Sequence, residues 1–124
     1  MKRILVVDDN PLVIKLTSQY LSRHGYEVAV SEGPFGVLNK VREFAPDVIL
    51  LDLMMPGLSG TKLVELLKDA RIYHGFQVIL FSSEDEKAQS ALIERGLAYS
   101  YFFKGQSLEG LSEKINEAAL AMAA

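Results

Sequence analysis

From Arg3 to Ala119 the chain alternates between short unbroken aliphatic runs and longer stretches with an apolar residue every third or fourth position. Val48-Ile49-Leu50-Leu51 is the plainest of the runs: four large aliphatics without a charge. That pattern predicts a strand buried on both faces, as in the middle of a parallel sheet. Similar readings place strands over 3–7, 27–31, 76–81 and 98–103. Helical spacing fills the gaps. Asn10-Pro11 combines a capping side chain with proline at the first helical position, and Gly25 marks that helix's end. Val13, Leu16, Tyr20 or Leu21, and His24 are the expected face of this first helix. Pro34 opens a second, with Val37, Leu38, Val41 and Phe44 along one side. Leu63, Val64, Leu66 and Leu67 line a third that ends near Ala70. Glu84-Asp85-Glu86 put acids in the first turn of a fourth, where the helix dipole favours them. Its apolar content, Ala88, Ala91, Leu92 and Ile93, is thin, so this helix is expected to be the least firmly held. Leu108, Leu111, Ile115 and Ala118-Ala119 mark the fifth.

A strand-helix unit repeated five times predicts an α/β fold, a doubly wound five-stranded parallel sheet with right-handed crossovers. Periodicity does not determine the strand order. It does place the carboxyl ends of the strands on one edge, where ligands and chemistry gather in open α/β sheets. Those ends carry Asp8-Asp9, Asp52, Ser82 and Lys104. If the first and third strands are neighbours, Asp8, Asp9 and Asp52 share a pocket. Three like charges there require either a protonated acid or a cation among them. An all-oxygen donor set suits Mg²⁺, or Mn²⁺, and a hard divalent ion commonly partners a phosphoryl group. In that setting the Ser82 hydroxyl donates to one phosphoryl oxygen and the Lys104 ammonium pairs with another. Asp8 and Asp9 suit ion binding, while Asp52, alone on the central strand, suits nucleophilic attack. Each residue has an ordinary alternative: an acidic pair in a helix-capping loop, a serine N-cap, a surface lysine. Their joint appearance at four strand ends favours the site. Haloacid-dehalogenase-type phosphatases and toprim-like metal sites are disfavoured, because both want Asp-x-Asp rather than adjacent acids.

Composition narrows the choices. The 124 residues are one domain's worth, and 49% hydrophobic content supports a core without staples. Cysteine is absent and His24 and His74 are the two histidines, which rules out thiol chemistry and an imidazole-rich metal site. A net charge of −3 without a basic stripe argues against nucleic acid as a direct partner. The run after Met1-Lys2-Arg3 is too short for a signal peptide or membrane span, so the expected location is cytoplasmic, off the membrane.

At this point the chain resembles a response-regulator receiver domain of two-component signalling, close to the stand-alone chemotaxis type, over residues 1–124. Asp8-Asp9 match the adjacent acids after the first strand. Asp52, Met55, Pro56 and Gly60 match the Asp-x-x-Met-Pro-x-x-x-Gly signature at every spacing. Ser82 matches the hydroxyl after the fourth strand, Lys104 the lysine after the fifth, and Tyr101 the aromatic three residues before it. The resemblance implies a flavodoxin-like (βα)5 fold of strand order 2-1-3-4-5, with two helices on one face and three on the other. It implies that Asp9, Asp52 and the Met54 backbone carbonyl bind Mg²⁺, with Asp8 acting partly through water. It further implies that Asp52 accepts a phosphoryl group from a sensor histidine kinase or a histidine phosphotransfer protein. Ser82 is then drawn in and Tyr101 swings, altering the face of helix four, strand five and helix five for a downstream protein effector. Such a domain assists its own phosphorylation and dephosphorylation but is not a conventional enzyme, and a phosphorylation-dependent dimer fits the same scheme.

The sequence departs from the family pattern in places. Gly105 stands where proline usually follows the lysine, so a cis linkage, costing about 2.5–4 kcal/mol without proline, is not expected there. Ser83 adds a donor beside Ser82. Met54 is apolar and neither orients water nor donates to a phosphoryl group; Glu84 does either only weakly. Dephosphorylation is therefore expected not to be unusually fast. Tyr99, Tyr101, Phe102 and Phe103 form a heavy aromatic run in which Phe102 faces away from Tyr101 and Phe103. The alternatives are a receiver cut from a longer DNA-binding or enzymatic regulator, a phosphate-independent pseudo-receiver that binds a protein, and a small phosphatase.

Overall fold

A computed structural model describes residues 2–70, 75–82, 86–104 and 107–123, with the side chains of Ala70, Ser82, Glu86, Met122 and Ala123 left aside. The elements follow one another as β1 (Arg3–Val7), α1 (Pro11–Arg23), β2 (Glu27–Ser31), α2 (Val37–Phe44) and β3 (Val48–Leu51), then α3 (Gly60–Ala70), β4 (Gln77–Ser82), α4 (Glu86–Glu94), β5 (Ser100–Phe103) and α5 (Leu111–Ala123). The five strands form one sheet in the order β2-β1-β3-β4-β5, all pairs parallel.

Alternation along the strands divides the core in two. Leu5, Val7, Ile49, Leu51, Val78 and Leu80 face the side covered by Val37 and Val41 of α2, Leu63, Val64 and Leu67 of α3, and Leu92 of α4. Ile4, Val6, Val48, Leu50, Ile79 and Phe81 face the other side, under Leu21 of α1 and Leu111, Ile115, Ala118 and Ala119 of α5. Two helices therefore cover one face and three the other. All four residues of β3 are fully buried, the consequence of helices on both faces of a central parallel strand.

Local expectations meet three corrections. The buried stripe of α1 is Ile14, Thr17 and Leu21, whereas Leu16 is 51% exposed and Val13 and Tyr20 are half-buried. The expected face was rotated because Leu16 was counted as core on hydrophobicity alone, while the small Thr17 fits against the sheet. The second and fifth helices also begin later than expected, at Val37 and Leu111. Gly36 and Gly110 precede them at φ +84° and +88°, a left-handed backbone that ends the preceding turn before the helix can form. Asn10 caps α1 as expected, its side chain accepting from the Leu12 and Val13 N–H groups at 3.0 and 3.3 Å. On α4 the buried residues among those described are Gln89 and Leu92, which shifts the face from the expected Ala88, Ala91, Leu92 and Ile93: Ala91 is exposed and the polar Gln89 is buried.

Candidate functional site

The parallel sheet brings the ends of β1, β3 and β5 to one edge. Asp8 and Asp52 each extend the ladder by one residue: Asp8 N–H donates to the Ser31 carbonyl at 3.1 Å and Asp52 N–H to that of Val7 at 3.0 Å. Their backbones are thus fixed by sheet hydrogen bonds, and their side chains are buried, 0% and 3% exposed. Asp9 is exposed. One carboxylate oxygen from each of Asp8, Asp9 and Asp52 lies within 4.8 Å of the others.

Lys104, immediately after β5, reaches across the top of the sheet. Its Nζ donates to Asp52 Oδ2 at 2.9 Å and stands 2.6 Å from Asp8 Oδ2. Each acid is held on its other oxygen by the chain that follows it. Asn10 N–H donates to Asp8 Oδ1 and Met54 N–H to Asp52 Oδ1, both at 2.9 Å. The turns that leave the strands therefore orient the carboxylates. The ammonium gives Asp8 Oδ2 its ion-pair partner, the same contact that pulls against the effect of burial on the Asp8 carboxyl. Three carboxylates with oxygens within 4.8 Å of one another, one ammonium shared between two of them and, among the described residues, no His or Cys in the group, make an all-oxygen donor set that fits a hard divalent cation.

Burial pushes the Asp8 carboxyl above its usual range, more than the Lys104 and Asn10 contacts pull it down; the Asp52 charge adds to the rise. For Lys104, burial lowers the affinity for the proton but is outweighed by Asp8 and Asp52, so the ammonium is held above its usual value. The two shifts are not mirror images, because Asp8 is wholly enclosed while Lys104 is 15% exposed and faces two acids. A carboxyl raised in the folded state favours folding below its ordinary value of 3.8, and that advantage disappears as pH rises through the folded value. Once ionised, Asp8 is consequently a burden on the fold. Asp8→Asn, which keeps the shape and the Asn10 contact, should raise the melting temperature at pH 7 in a chelator, by about 2–6 °C. A lower melting temperature in that variant would contradict the burial argument.

The other expected residues divide. Met54 follows Asp52 in the turn, 58% exposed. Ser82 ends β4, its backbone opposite Phe103 in the ladder. The Ser82 hydroxyl, Ser83, Glu84 and Gly105 lie outside the described residues. Tyr101 is half-buried on the α4 side of the sheet, and Phe102 is buried on the opposite side. The aromatic run is thus mostly packed rather than presented to solvent. Among the described residues the exposed large apolar side chains are instead Leu12 and Leu16 on α1, Phe35 before α2, Met54, and Leu120 on α5. Of these, Leu16 is the one that the hydrophobic pattern assigns to a buried helix face.

A family model, response regulator receiver domain, matches residues 4–116. The chain belongs to the response-regulator receiver family. This receiver domain is 33% identical to protein PilH of Pseudomonas aeruginosa over 117 residues, 94% of this chain and 96% of PilH. Its fold is similar to that of a CheY-like response regulator receiver protein from Methanospirillum hungatei JF-1. The TM-score is 0.89 at 28% identity, over 99% of this chain and 97% of that one. It is also similar to the response regulator TrrA from Thermotoga maritima, solved in complex with Mg²⁺-BeF. There the TM-score is 0.81 at 29% identity, over 95% and 99% of the two chains. Receiver domains are two-component signalling switches rather than conventional enzymes, and they bind Mg²⁺ at an acidic cluster of the kind that Asp8, Asp9 and Asp52 form here. They act between histidine kinases and downstream effectors. Among the described residues no helix is long and apolar enough to cross a membrane.

Proposed function

We propose that this receiver domain is a phosphorylation-activated switch in which Asp52 accepts a phosphoryl group from a phosphohistidine of a sensor kinase or histidine phosphotransfer protein. The observation that carries the proposal is the bridge from Lys104 to the two buried acids, with Asp9 completing the cluster. Asp9, Asp52 and the Met54 carbonyl would hold Mg²⁺, with Asp8 partly through water; Mn²⁺ suits the same donors. When bound, the ion neutralises non-bridging phosphoryl oxygens.

The protein's own groups do the rest. Asp52 is fixed at the end of a rigid strand, and the Met54 N–H restrains one of its oxygens. The other oxygen attacks phosphorus: an O–P bond forms as the P–N bond to the donor imidazole breaks, and the imidazole leaves with the bonding electron pair. The Lys104 ammonium, already 2.9 Å from that oxygen, moves from a carboxylate to a phosphoryl oxygen, so a cation stays beside the accumulating charge throughout. Ser82 donates to a second phosphoryl oxygen, with Ser83 as an added donor. Tyr101 responds to the movement of Ser82, and the surface of α4, β5 and α5 passes the change to a protein effector or to a second copy. Met54 offers neither donor nor acceptor through its side chain and Glu84 only a weak one, so hydrolysis of the acyl phosphate is not unusually fast. The proposed setting is the cytoplasm.

Intact mass after incubation with acetyl phosphate and Mg²⁺ tests the chemistry. The wild-type chain should gain the mass of one phosphoryl group, and Asp52→Asn should gain none. Absence of an adduct on both would turn the reading to a pseudo-receiver that binds a partner without phosphate.

A further inference from the structure

β5 is the outer strand of the sheet, so one side of its backbone has no strand partner. Lys114 belongs to α5, whose buried residues pack on the face opposite Tyr101. Its side chain nevertheless passes around that open edge. The ammonium donates to the Tyr101 carbonyl at 2.8 Å and stands 5.4 Å from the centroid of the Tyr101 ring. The ring in turn meets Phe103 edge-on, with centroids 5.4 Å apart. Tyr101 is therefore held from two sides, by a cation from α5 and by a neighbour on its own strand.

The base of the lysine is itself anchored. Leu111 and Ile115 on either side of it are fully buried. The Ser112 N–H donates to the Tyr20 hydroxyl at 3.1 Å, and the Tyr26 hydroxyl lies 2.8 Å from Asn116 Oδ1 and 2.9 Å from Ser112 Oγ. With α5 tied to α1 and to Tyr26, just before β2, the ammonium stays where the helix puts it. It supplies the attraction of a cation for the ring face and a charge-assisted bond to the carbonyl. The carbonyl bond, made to backbone, keeps the ammonium in place, and the ring contact is the one lost if the ring swings away.

We propose that Lys114 is the positioning residue for Tyr101: it holds the ring in the half-buried orientation and makes its swing conditional on releasing a contact to α5. This rests on Tyr101 being the residue that changes orientation in the proposed function. In consequence α5 senses the state of the site directly, through one side chain, and not only through rearrangement of α4.

The test uses the full chain with ring-¹³C-labelled tyrosine, Tyr101 assigned by Tyr101→Phe, with and without Mg²⁺ and beryllofluoride as phosphoryl mimic. In the wild type the Tyr101 signal should shift on adding the mimic. In Lys114→Met without the mimic, it should already lie toward the shifted position, the ratio of the two orientations having changed by about tenfold. Lys114→Gln, which keeps a donor for the carbonyl but no charge for the ring, should behave like Lys114→Met, and Lys114→Arg should restore the wild-type position. The Phe102 and Tyr26 surroundings and the melting temperature report whether each variant is folded. A Tyr101 signal that responds to the mimic but is indifferent to Lys114→Met and Lys114→Gln overturns the proposal and leaves the switch reading intact. A wild-type signal that ignores the mimic overturns the switch reading, and with it the coupling to α5.

Discussion

Lys104→Ala should lower the stability of the metal-free domain by about 2–4 kcal/mol, and excess Mg²⁺ should recover most of the loss. The reason is the placement of charge. Asp8 and Asp52 are both enclosed, each has one oxygen tied to backbone, and the ammonium of Lys104 faces the oxygens that remain. Removing one partner from a buried ion cluster leaves its counterparts uncompensated, which costs far more than an exposed ion pair is worth. Protonation of Asp8, whose carboxyl burial already raises, limits the damage. The double variant Asp8→Asn with Lys104→Ala should therefore be more stable than Lys104→Ala alone, because the two sites share one interaction. Denaturant melts with chelator and with Mg²⁺ give all four corners of this cycle. If Lys104→Ala melts like the wild type in chelator, the lysine is not the counter-ion described.

The second large effect belongs to Gly60→Ala. A methyl group there would stand 2.5 Å from the Leu53 Cα, 2.7 Å from its Cδ2 and 2.9 Å from its carbonyl oxygen. Backbone cannot yield as a side-chain tip can, so α3 must move off the turn or the turn must shift. A cost of about 3 kcal/mol, seen as a fall of about 10 °C in the melting temperature, is expected. Leu53 sits between Asp52 and Met54, so the hydrogen bond that orients Asp52 should be disturbed along with it. Phosphoryl acceptance should fall as well as stability. Gly33→Ala is the control, because a methyl group there meets nothing within 4 Å and no positive φ is involved. Equal melting temperatures for Gly60→Ala and Gly33→Ala would remove the steric account of the signature glycine.

Much of this arrangement was legible in the residue order because the sheet is parallel. Runs such as Val48-Ile49-Leu50-Leu51 identify buried strands, and parallel strands must all end on one edge, which puts Asp8, Asp52 and Lys104 at the same end of the sheet; that Asp8 and Asp52 meet depends on β1 lying beside β3. The strand order, by contrast, is carried by no periodicity. It came from resemblance to the receiver family and agrees with the observed pairing. The α1 face was misread because an amphipathic stripe is defined by fit as well as by hydrophobicity: Thr17 is buried and Leu16 is not. Helix starts were placed too early where glycine takes a left-handed backbone, since Pro34 and Leu108 look helical until Gly36 and Gly110 interrupt them. Lys114 left no trace in the pattern. A lysine on an amphipathic helix reads as a solvated residue, and only the curvature of the chain around an open sheet edge brings it to Tyr101.

The reach of Lys104 bears on how the domain is made. Its partner Asp52 lies 52 residues earlier in the chain, and Asp8 is contributed by the first strand. No fragment emerging early from a ribosome contains the complete charge cluster, since the ammonium is synthesised after all five strands. Competence to receive a phosphoryl group should thus appear abruptly, once the fifth strand has docked, and a partly made chain would be deaf to its kinase.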